Sequence, residues 1–212
     1  MITLYYAPES RANVALSLLR RMGHETSVDI ATVHIDRQDG QGRKDPNNPH
    51  PEGKVPLLVA DGVAIREQGA ILLWLTDHFD STLGRGQTDP GRGAYLSWLF
   101  YYHAVIEPVL YLGFLELGDH PMIKNWCRDM EAVTASLETA LADRPYLVDE
   151  RFSAADLLIA SPFGWFPDFM PDSPLVRDWV ARCQAEEDSE YLSAFNAEAM
   201  AKLGLKGADA EG

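Results

Sequence analysis

The sequence predicts a small mixed α/β domain followed by an all-helical domain. Strand and helix patterns alternate over residues 1–79, and helical spacing of apolar residues continues through residues 94–212. Between them, residues 80–93 hold four glycines and Pro90 but almost no apolar side chains, a composition typical of a linker. A chain of 212 residues is long enough to give each domain its own core.

The first domain is predicted to open with a β-α-β unit. A strand covers Ile2–Tyr6, a helix begins at Ser10 and is closed by Gly23 as its C-cap, and a second strand covers Thr26–Val33. The buried face of the helix is marked by Val14, Ala15, Leu18, Leu19 and Met22. Strands joined by such a crossover run parallel, so we expect parallel pairing.

A hairpin and a helix are predicted to complete this domain. Asp61-Gly62 is a strong two-residue turn signal between the strands Leu57–Ala60 and Val63–Arg66. A helix follows from Gln68 to Phe79. Residues 36–53 are rich in Asp, Gly, Asn and Pro, which indicates a loop.

The second domain is predicted to consist of helices. Tyr95–Leu112 is apolar nearly all round, as in a buried central helix, with a kink at Pro108. Residues 123–141 carry one apolar stripe, which predicts a single long helix. The segment Ser153–Asp156 is a capping box, and a purely structural role is preferred for it. The last predicted helix covers residues 175–183.

Charge and composition narrow the class of protein. A net charge of −14 argues against binding to nucleic acid, which requires a basic surface. The N-terminal residues lack the pattern of a signal peptide, and no apolar run of about 18 residues predicts a membrane span. Cys127 and Cys183 lie far apart in helical patterns, so we expect buried free thiols. These features favour a reducing cytoplasm.

Val55-Pro56 is the first candidate binding element. Proline has no backbone N–H, and this is tolerated at the first position of a strand. The neighbouring Val55 backbone can pair with an extended peptide ligand. A cis bond cannot be predicted from the dipeptide alone. The alternative is an ordinary edge-strand proline.

The second candidate element lies at the start of the following helix. Unpaired N–H groups and the helix dipole attract an anion there, so Gln68 is positioned to hold a ligand carboxylate and Glu67 a ligand ammonium. Lys54 can meet a second carboxylate. Alternatively, Glu67 is a favourable first-turn acid and Lys54 a solvated charge.

Ser10 is the candidate reactive residue. It follows the first strand and is predicted to cap the first helix, where partly positive N–H groups favour a thiolate. Lowering a thiol pKa by about two units requires roughly 2.7 kcal/mol, within reach of one charge-assisted hydrogen bond plus the helix N-terminus. Ser10 as a helix cap alone, and the hydroxyls of Tyr5 and Tyr6, remain open alternatives.

Taken together, these motifs resemble the glutathione S-transferase family over essentially the whole chain. The resemblance rests on Asn48-Pro49, Gly53-Lys54-Val55-Pro56-Leu57, Glu67-Gln68-Gly69-Ala70-Ile71, Trp98-Leu99-Phe100, Glu107-Pro108 and Phe152-Ser153-Ala154-Ala155-Asp156. It implies a thioredoxin-like domain over residues 1–79 and an all-helical domain over residues 94–212. It also implies that Val55, beside a cis Pro56, binds the cysteinyl backbone of glutathione, that Lys54 binds its glycyl carboxylate, and that Glu67 and Gln68 bind its γ-glutamyl end. Members typically have Ser or Thr where this chain has Gln68.

The resemblance further implies an enzyme that conjugates glutathione, as a co-substrate, to a small hydrophobic electrophile. That electrophile is expected against Tyr101, Tyr102 and Ile106, and a homodimer is expected. No cysteine precedes Cys127, which argues against the disulfide-exchange branches of the family. A non-catalytic binding module and a glutathione-dependent isomerase remain alternative functions.

Overall fold

The computed structural model of the chain describes residues 1–37 and 40–205. Its strands are β1 Ile2–Tyr6, β2 Asp29–Thr32, β3 Leu57–Ala60 and β4 Val63–Ile65. Its α-helices are α1 Ala12–Met22, α2 Gln68–His78, α3 Arg92–Tyr101, α4 Glu107–Phe114, α5 Pro121–Trp126, α6 Met130–Leu141, α7 Ala154–Trp165, α8 Pro174–Ala185 and α9 Ser189–Leu203. The predicted fold class, a small mixed sheet with helices followed by a helical region, is confirmed.

Contacts within the chain define two compact units. The first comprises Met1–Leu75 together with the chain from Glu187, and the second comprises Thr76–Glu186. The division predicted from the sequence, with a linker over residues 80–93, stays a prediction of domain organisation. The compact units differ from it because α9 packs with the first unit.

The sheet of the first unit has the order β2-β1-β3-β4, with β1 at an interior position. β1 pairs with β2 in parallel and with β3 in antiparallel register, so the expected β-α-β unit is confirmed. β2 is shorter than the predicted 26–33. Asp61 and Gly62 both have positive φ, 49° and 82°, as the two-residue hairpin turn requires.

Helix α1 begins two residues later than predicted. Its N-cap position is Arg11, which makes no side-chain capping bond, and its C-cap is Gly23 in the left-handed conformation, as expected. Ser10 therefore precedes the cap instead of occupying it. The Ser10 Oγ nevertheless accepts a 3.2 Å hydrogen bond from the backbone N–H of Ala12.

Helix α9 was not predicted, since the last predicted helix corresponds to α8. The sequence does carry signals for it: the Asp188 side chain accepts from the Tyr191 N–H at its start, and Gly204 closes it with φ 65°. Leu192 and Ala199 of α9 are buried in a cluster with residues of β1 and α1. The buried members of this cluster are Tyr6, Ala12, Leu16, Leu192 and Ala199.

The central helix of the second unit is interrupted. Between α3 and α4 the residues Tyr102–Ile106 form a π-helical turn, in which the Glu107 N–H donates to the Tyr102 carbonyl. Pro108 has no N–H to continue the regular ladder, and the wider turn directly precedes it. The expectation of a buried central helix over Tyr95–Leu112 is wrong in part, because Phe100 is 70% and Tyr111 47% exposed.

The single long helix predicted over residues 123–141 is two helices. Cys127, at the C-cap of α5, has an extended backbone, and Asp129 starts α6 by accepting from the Ala132 N–H. Only the C-terminal part of the apolar stripe is buried, at Val133, Leu137 and Leu141. The prediction of one continuous helix is wrong because the backbone is extended at Cys127 and Asp129. Cys127 is exposed, contrary to expectation, whereas Cys183 is buried, and both are free thiols.

The capping box of α7 is confirmed, and Asp156 is its centre. The fully buried carboxylate accepts from the Ser153 N–H and hydroxyl at 3.0 and 2.6 Å. It also accepts from the Leu147 N–H at 2.8 Å and from the Trp179 indole at 3.0 Å. One side chain thus joins the loop before α7, the start of α7 and helix α8.

Arg85 gives the segment 80–93 a packed structure. Its side chain is fully buried and forms a two-pronged contact with Asp149, with two N···O distances of 2.8 Å. It also donates to the carbonyls of Gly84 and Arg151. The glycine-rich segment is therefore held within the second unit.

Across the described ranges, every helix is too short or too polar to pass through a lipid bilayer.

We expect Asp156→Asn to lower the free energy of unfolding by about 3 kcal/mol, because an amide N–H then faces donors that need an acceptor. Urea denaturation measures the loss. Asp178→Asn, an exposed change on α8, is the matched control and should leave the midpoint unchanged. Equal midpoints for both variants would contradict the role given to Asp156.

We also expect Asp149 to contribute an acid-sensitive part of the stability. Burial opposes its ionised form, but hydrogen bonds from Arg85 and the Arg151 N–H outweigh burial and lower its pKa from 3.8 to about 2. Because the folded pKa lies below the unfolded one, this stabilisation is present above about pH 4 and is lost as the pH falls towards about 2.

Asp149→Asn should therefore unfold at lower urea concentration than the wild type at pH 7, and the difference should shrink below about pH 4. Asp143→Asn, at an exposed position, should show no such convergence. A wild-type advantage that stays constant down to about pH 2 would overturn this assignment.

Candidate functional site

Three loops meet at one edge of the sheet. Tyr5 near the end of β1 is opposite Leu57 at the start of β3, and Leu58 is opposite Ile65 at the end of β4. The loop after β1, the loop before β3 and the loop after β4 therefore share this edge. They carry the predicted site residues Ser10, Lys54, Val55, Pro56, Glu67 and Gln68.

The Ser10 hydroxyl is engaged within its own loop. It donates to the Ala7 carbonyl at 2.7 Å while accepting from the Ala12 N–H. A hydroxyl proton rotates freely about the C–O bond, so this neutral hydrogen bond can be exchanged for a charge-assisted one to a thiolate. Ser10 is partly exposed, which keeps it accessible.

The two tyrosine alternatives to Ser10 differ in position. Tyr6 is fully buried, and its hydroxyl lies 2.6 Å from Asn13 Oδ1 and 2.7 Å from Asn196 Oδ1. Burial, with the nearby Tyr191 and Glu9, raises the pKa of Tyr6. The Tyr6 hydroxyl is thus a structural group in the described conformation. Tyr5 is partly exposed within β1.

The peptide bond between Val55 and Pro56 is cis, as the family resemblance implied. Val55 is partly exposed, and its side chain packs against the buried cluster around Tyr6. Lys54 is exposed beside it. The Val55 backbone, whose pairing with a peptide ligand stays a prediction, thus lies next to the loop that carries Ser10.

The loop before β3 is supported by residues that the sequence analysis did not single out individually. The Asn48 amide donates to the Lys54 carbonyl at 3.1 Å, while its oxygen accepts from the His50 N–H. Asp45 accepts from the N–H groups of His34 and Asn47, which lowers its pKa. Asn48-Pro49 was used in the sequence analysis only as part of the family motif. In the structure, the Asn48 side chain holds the loop before β3 through these two hydrogen bonds.

Gln68 is buried against the start of α1, and its role in ligand binding stays a prediction. Its side chain is 4% exposed, and its Nε2 donates to the Arg11 carbonyl at 2.8 Å. Its Oε1 is buried and has no hydrogen-bond partner among the described residues. The free group is therefore an acceptor, which suits a ligand N–H or ammonium better than a carboxylate. Glu67 is exposed, with φ 68°.

The predicted electrophile-binding residues belong to the second unit. Tyr102 is 5% exposed and Ile106 is fully buried, both within the π-helical turn. Tyr101 is partly exposed, and its hydroxyl donates to Ser136 at 3.2 Å. Only Tyr101 has surface available to a substrate in the described conformation, and the role of all three residues stays a prediction.

A β-α-β unit, a hairpin entered through a cis proline and a following helical unit make up the fold of this chain. Residues 118–187 match the family model of the glutathione S-transferase C-terminal domain. Glutathione S-transferase 3 of Schizosaccharomyces pombe is 24% identical over 201 residues, which cover 85% of this chain and 81% of that protein.

Elongation factor 1-gamma of Mus musculus is 26% identical over 196 residues, which cover 85% of this chain and 44% of that protein. This chain thus spans less than half the length of the elongation-factor relatives that it matches.

Solved structures agree on the fold. A glutathione transferase from Methylococcus capsulatus has a TM-score of 0.69 at 23% identity, covering 93% of this chain and 99% of its own. A sphingomonad glutathione S-transferase complexed with glutathione has a TM-score of 0.65 at 22% identity, covering 96% of this chain and 100% of its own. The chain therefore has the glutathione S-transferase fold, and residues 118–187 are similar to the C-terminal domain of that family.

Proposed function

We propose that this protein binds glutathione and conjugates its thiolate to a small hydrophobic electrophile. The observation that carries the proposal is the meeting of three loops at one sheet edge, where Ser10, Val55 and Gln68 stand on neighbouring segments. The 2.8 Å bond from Gln68 to the Arg11 carbonyl joins two of these loops directly.

Glutathione is an extended acidic peptide, and each part of it has a partner in this proposal. The Val55 backbone beside Pro56 pairs with the cysteinyl unit, and Lys54 meets the glycyl carboxylate. Glu67 accepts from the γ-glutamyl ammonium. The Oε1 of Gln68 is buried and unpaired in the described conformation, and it accepts from the same ammonium once the surrounding loops open to the ligand. This contact offsets part of the cost of opening, because an unpaired buried acceptor is costly.

The Ser10 hydroxyl is the group proposed to stabilise the thiolate. It turns from the Ala7 carbonyl to the ligand sulfur and donates a charge-assisted hydrogen bond, which favours loss of the thiol proton. The thiol proton passes to solvent water. The thiolate then forms a carbon–sulfur bond while the bond from that carbon to a leaving-group anion breaks; with an activated double bond, the π bond breaks instead and the resulting carbanion takes a proton from water. Tyr101, Tyr102 and Ile106 remain the proposed contacts of the electrophile.

A homodimer and a cytoplasmic location complete the proposal. Three large exposed apolar side chains on α3 and α4 support an interface between two copies, since burying them against a partner removes apolar surface from water. Phe100, Tyr111 and Phe114 are 70%, 47% and 63% exposed. Light scattering tests the dimer, and a monomeric mass at micromolar concentration would contradict it.

A non-catalytic binding module is the second candidate function. The match to elongation factor 1-gamma, whose name is not that of a transferase, favours it. So does the Ser10 hydroxyl proton, which already has an acceptor in Ala7. A glutathione-dependent isomerase is distinguished by unchanged glutathione concentration during turnover.

We expect Gln68→Ala to weaken glutathione binding about tenfold, because it removes both the ligand acceptor and the bond to Arg11. Titration calorimetry measures the dissociation constant. Gln87→Ala, an exposed glutamine substitution elsewhere, is the control and should bind like the wild type. Absence of wild-type binding at millimolar glutathione would favour the interaction module.

We expect Ser10→Ala to slow conjugation about tenfold or more and to move the pH–rate profile upward by about one to two units, because the thiolate loses its hydrogen-bond donor. Glutathione affinity should change little. The measurement is the conjugation rate on a panel of electrophiles across pH. An unchanged rate and profile would remove Ser10 from the mechanism while leaving the binding site.

A further inference from the structure

Helix α9 packs directly on the base of the loop that carries Ser10. The Tyr6 ring meets the Phe195 ring edge-on, with centroids 5.2 Å apart. Leu192 and Ala199 lie in the same buried cluster as Tyr6, against which the side chain of Val55 also packs. Helix α9 therefore contacts Tyr6, which directly precedes the loop with Ser10, and belongs to the cluster against which Val55 of the loop before β3 packs.

Asn196 is the polar contact within this packing. Its Oδ1 accepts from the Glu9 N–H at 2.6 Å and from the Tyr6 hydroxyl at 2.7 Å. Its Nδ2 donates to the Leu192 carbonyl at 2.9 Å, which fixes the amide orientation. The Tyr6 hydroxyl lies at a similar distance, 2.6 Å, from Asn13 Oδ1, so its single proton is shared between the two amide oxygens.

Glu9, whose N–H donates to Asn196, has an uncommon backbone conformation. Glu9 has φ 51°, a left-handed conformation that a residue with a side chain adopts only when its surroundings support it. Arg37 supports the same loop by donating to the Pro8 carbonyl at 3.2 Å. Ser10 follows Glu9 directly, so the conformation at Glu9 sets the direction in which the Ser10 side chain leaves the backbone.

We propose that Asn196 is a positioning residue for the loop after β1 and, through Glu9, for the Ser10 hydroxyl. Its effect on catalysis rests on the proposed function, whereas its effect on the loop does not. Other contacts attach α9 to α1 independently, since Arg20 pairs with Asp188 at 3.0 Å and lies over the Tyr191 ring. Removing the Asn196 amide should therefore free the loop without detaching the helix.

Residue-resolved hydrogen exchange tests this proposal with three variants. In Asn196→Ala, protection of the Glu9 amide should fall about tenfold or more, because its acceptor is gone. Asn196→Asp keeps an acceptor oxygen and should restore protection. Ser193→Ala, an exposed change on the same helix, is the matched control and should leave Glu9 unchanged.

Conjugation kinetics add a second readout. Asn196→Ala should lower kcat about tenfold while KM for glutathione stays within about twofold, and Asn196→Asp should recover most of kcat. Unchanged Glu9 exchange in Asn196→Ala overturns the proposal. Lost protection with an unchanged kcat overturns the link to Ser10.

If the wild type conjugates nothing, the proposed function fails, and Glu9 exchange alone still decides whether Asn196 positions the loop. If Asn196→Ala does not fold, Asn196→Gln replaces it, because one added methylene displaces the amide oxygen from Glu9. Wild-type exchange at Glu9 in that folded variant overturns the proposal, and lost protection supports it.

Discussion

The interior position of β1, parallel to β2 and antiparallel to β3, is the constraint on which the candidate site depends. Antiparallel pairing brings the end of β1 to the start of β3, and the hairpin then returns the end of β4 to the same edge. The loop with Ser10, the cis Val55-Pro56 bond and the start of α2 are adjacent for this reason. A one-residue shift of register would turn the side chains of a strand to the opposite face.

Around this edge, polar side chains support the backbone, and the hydrogen bonds they make decide which atoms remain for the proposed ligand. Gln68 uses its N–H on the Arg11 carbonyl, so the atom left for a ligand is an acceptor. Asn48 uses its amide on the Lys54 carbonyl and thereby holds the loop that presents Val55. The chemistry available to a ligand is what remains after these internal hydrogen bonds are made.

Much of the fold was predictable because its signals are local. The Asp61-Gly62 turn, the Gly23 C-cap and the capping box with Asp156 each depend on residues close in sequence, and all three were confirmed. The single helix over residues 123–141 was wrong, because an apolar stripe does not show the extended backbone at Cys127. Helix α9 was missed although Asp188 and Gly204 mark its ends.

The sequence by itself determined the order of the elements from β1 to α2, the Asp61-Gly62 turn, the Gly23 C-cap and the identities of the residues at the sheet edge. Only the tertiary structure decided how those residues are engaged. Gln68 with Arg11, and Asn196 with Glu9 and Tyr6, join segments 57 to 190 residues apart. Hydrogen bonds over such separations leave no periodicity in the sequence, because partner choice depends on how distant elements pack.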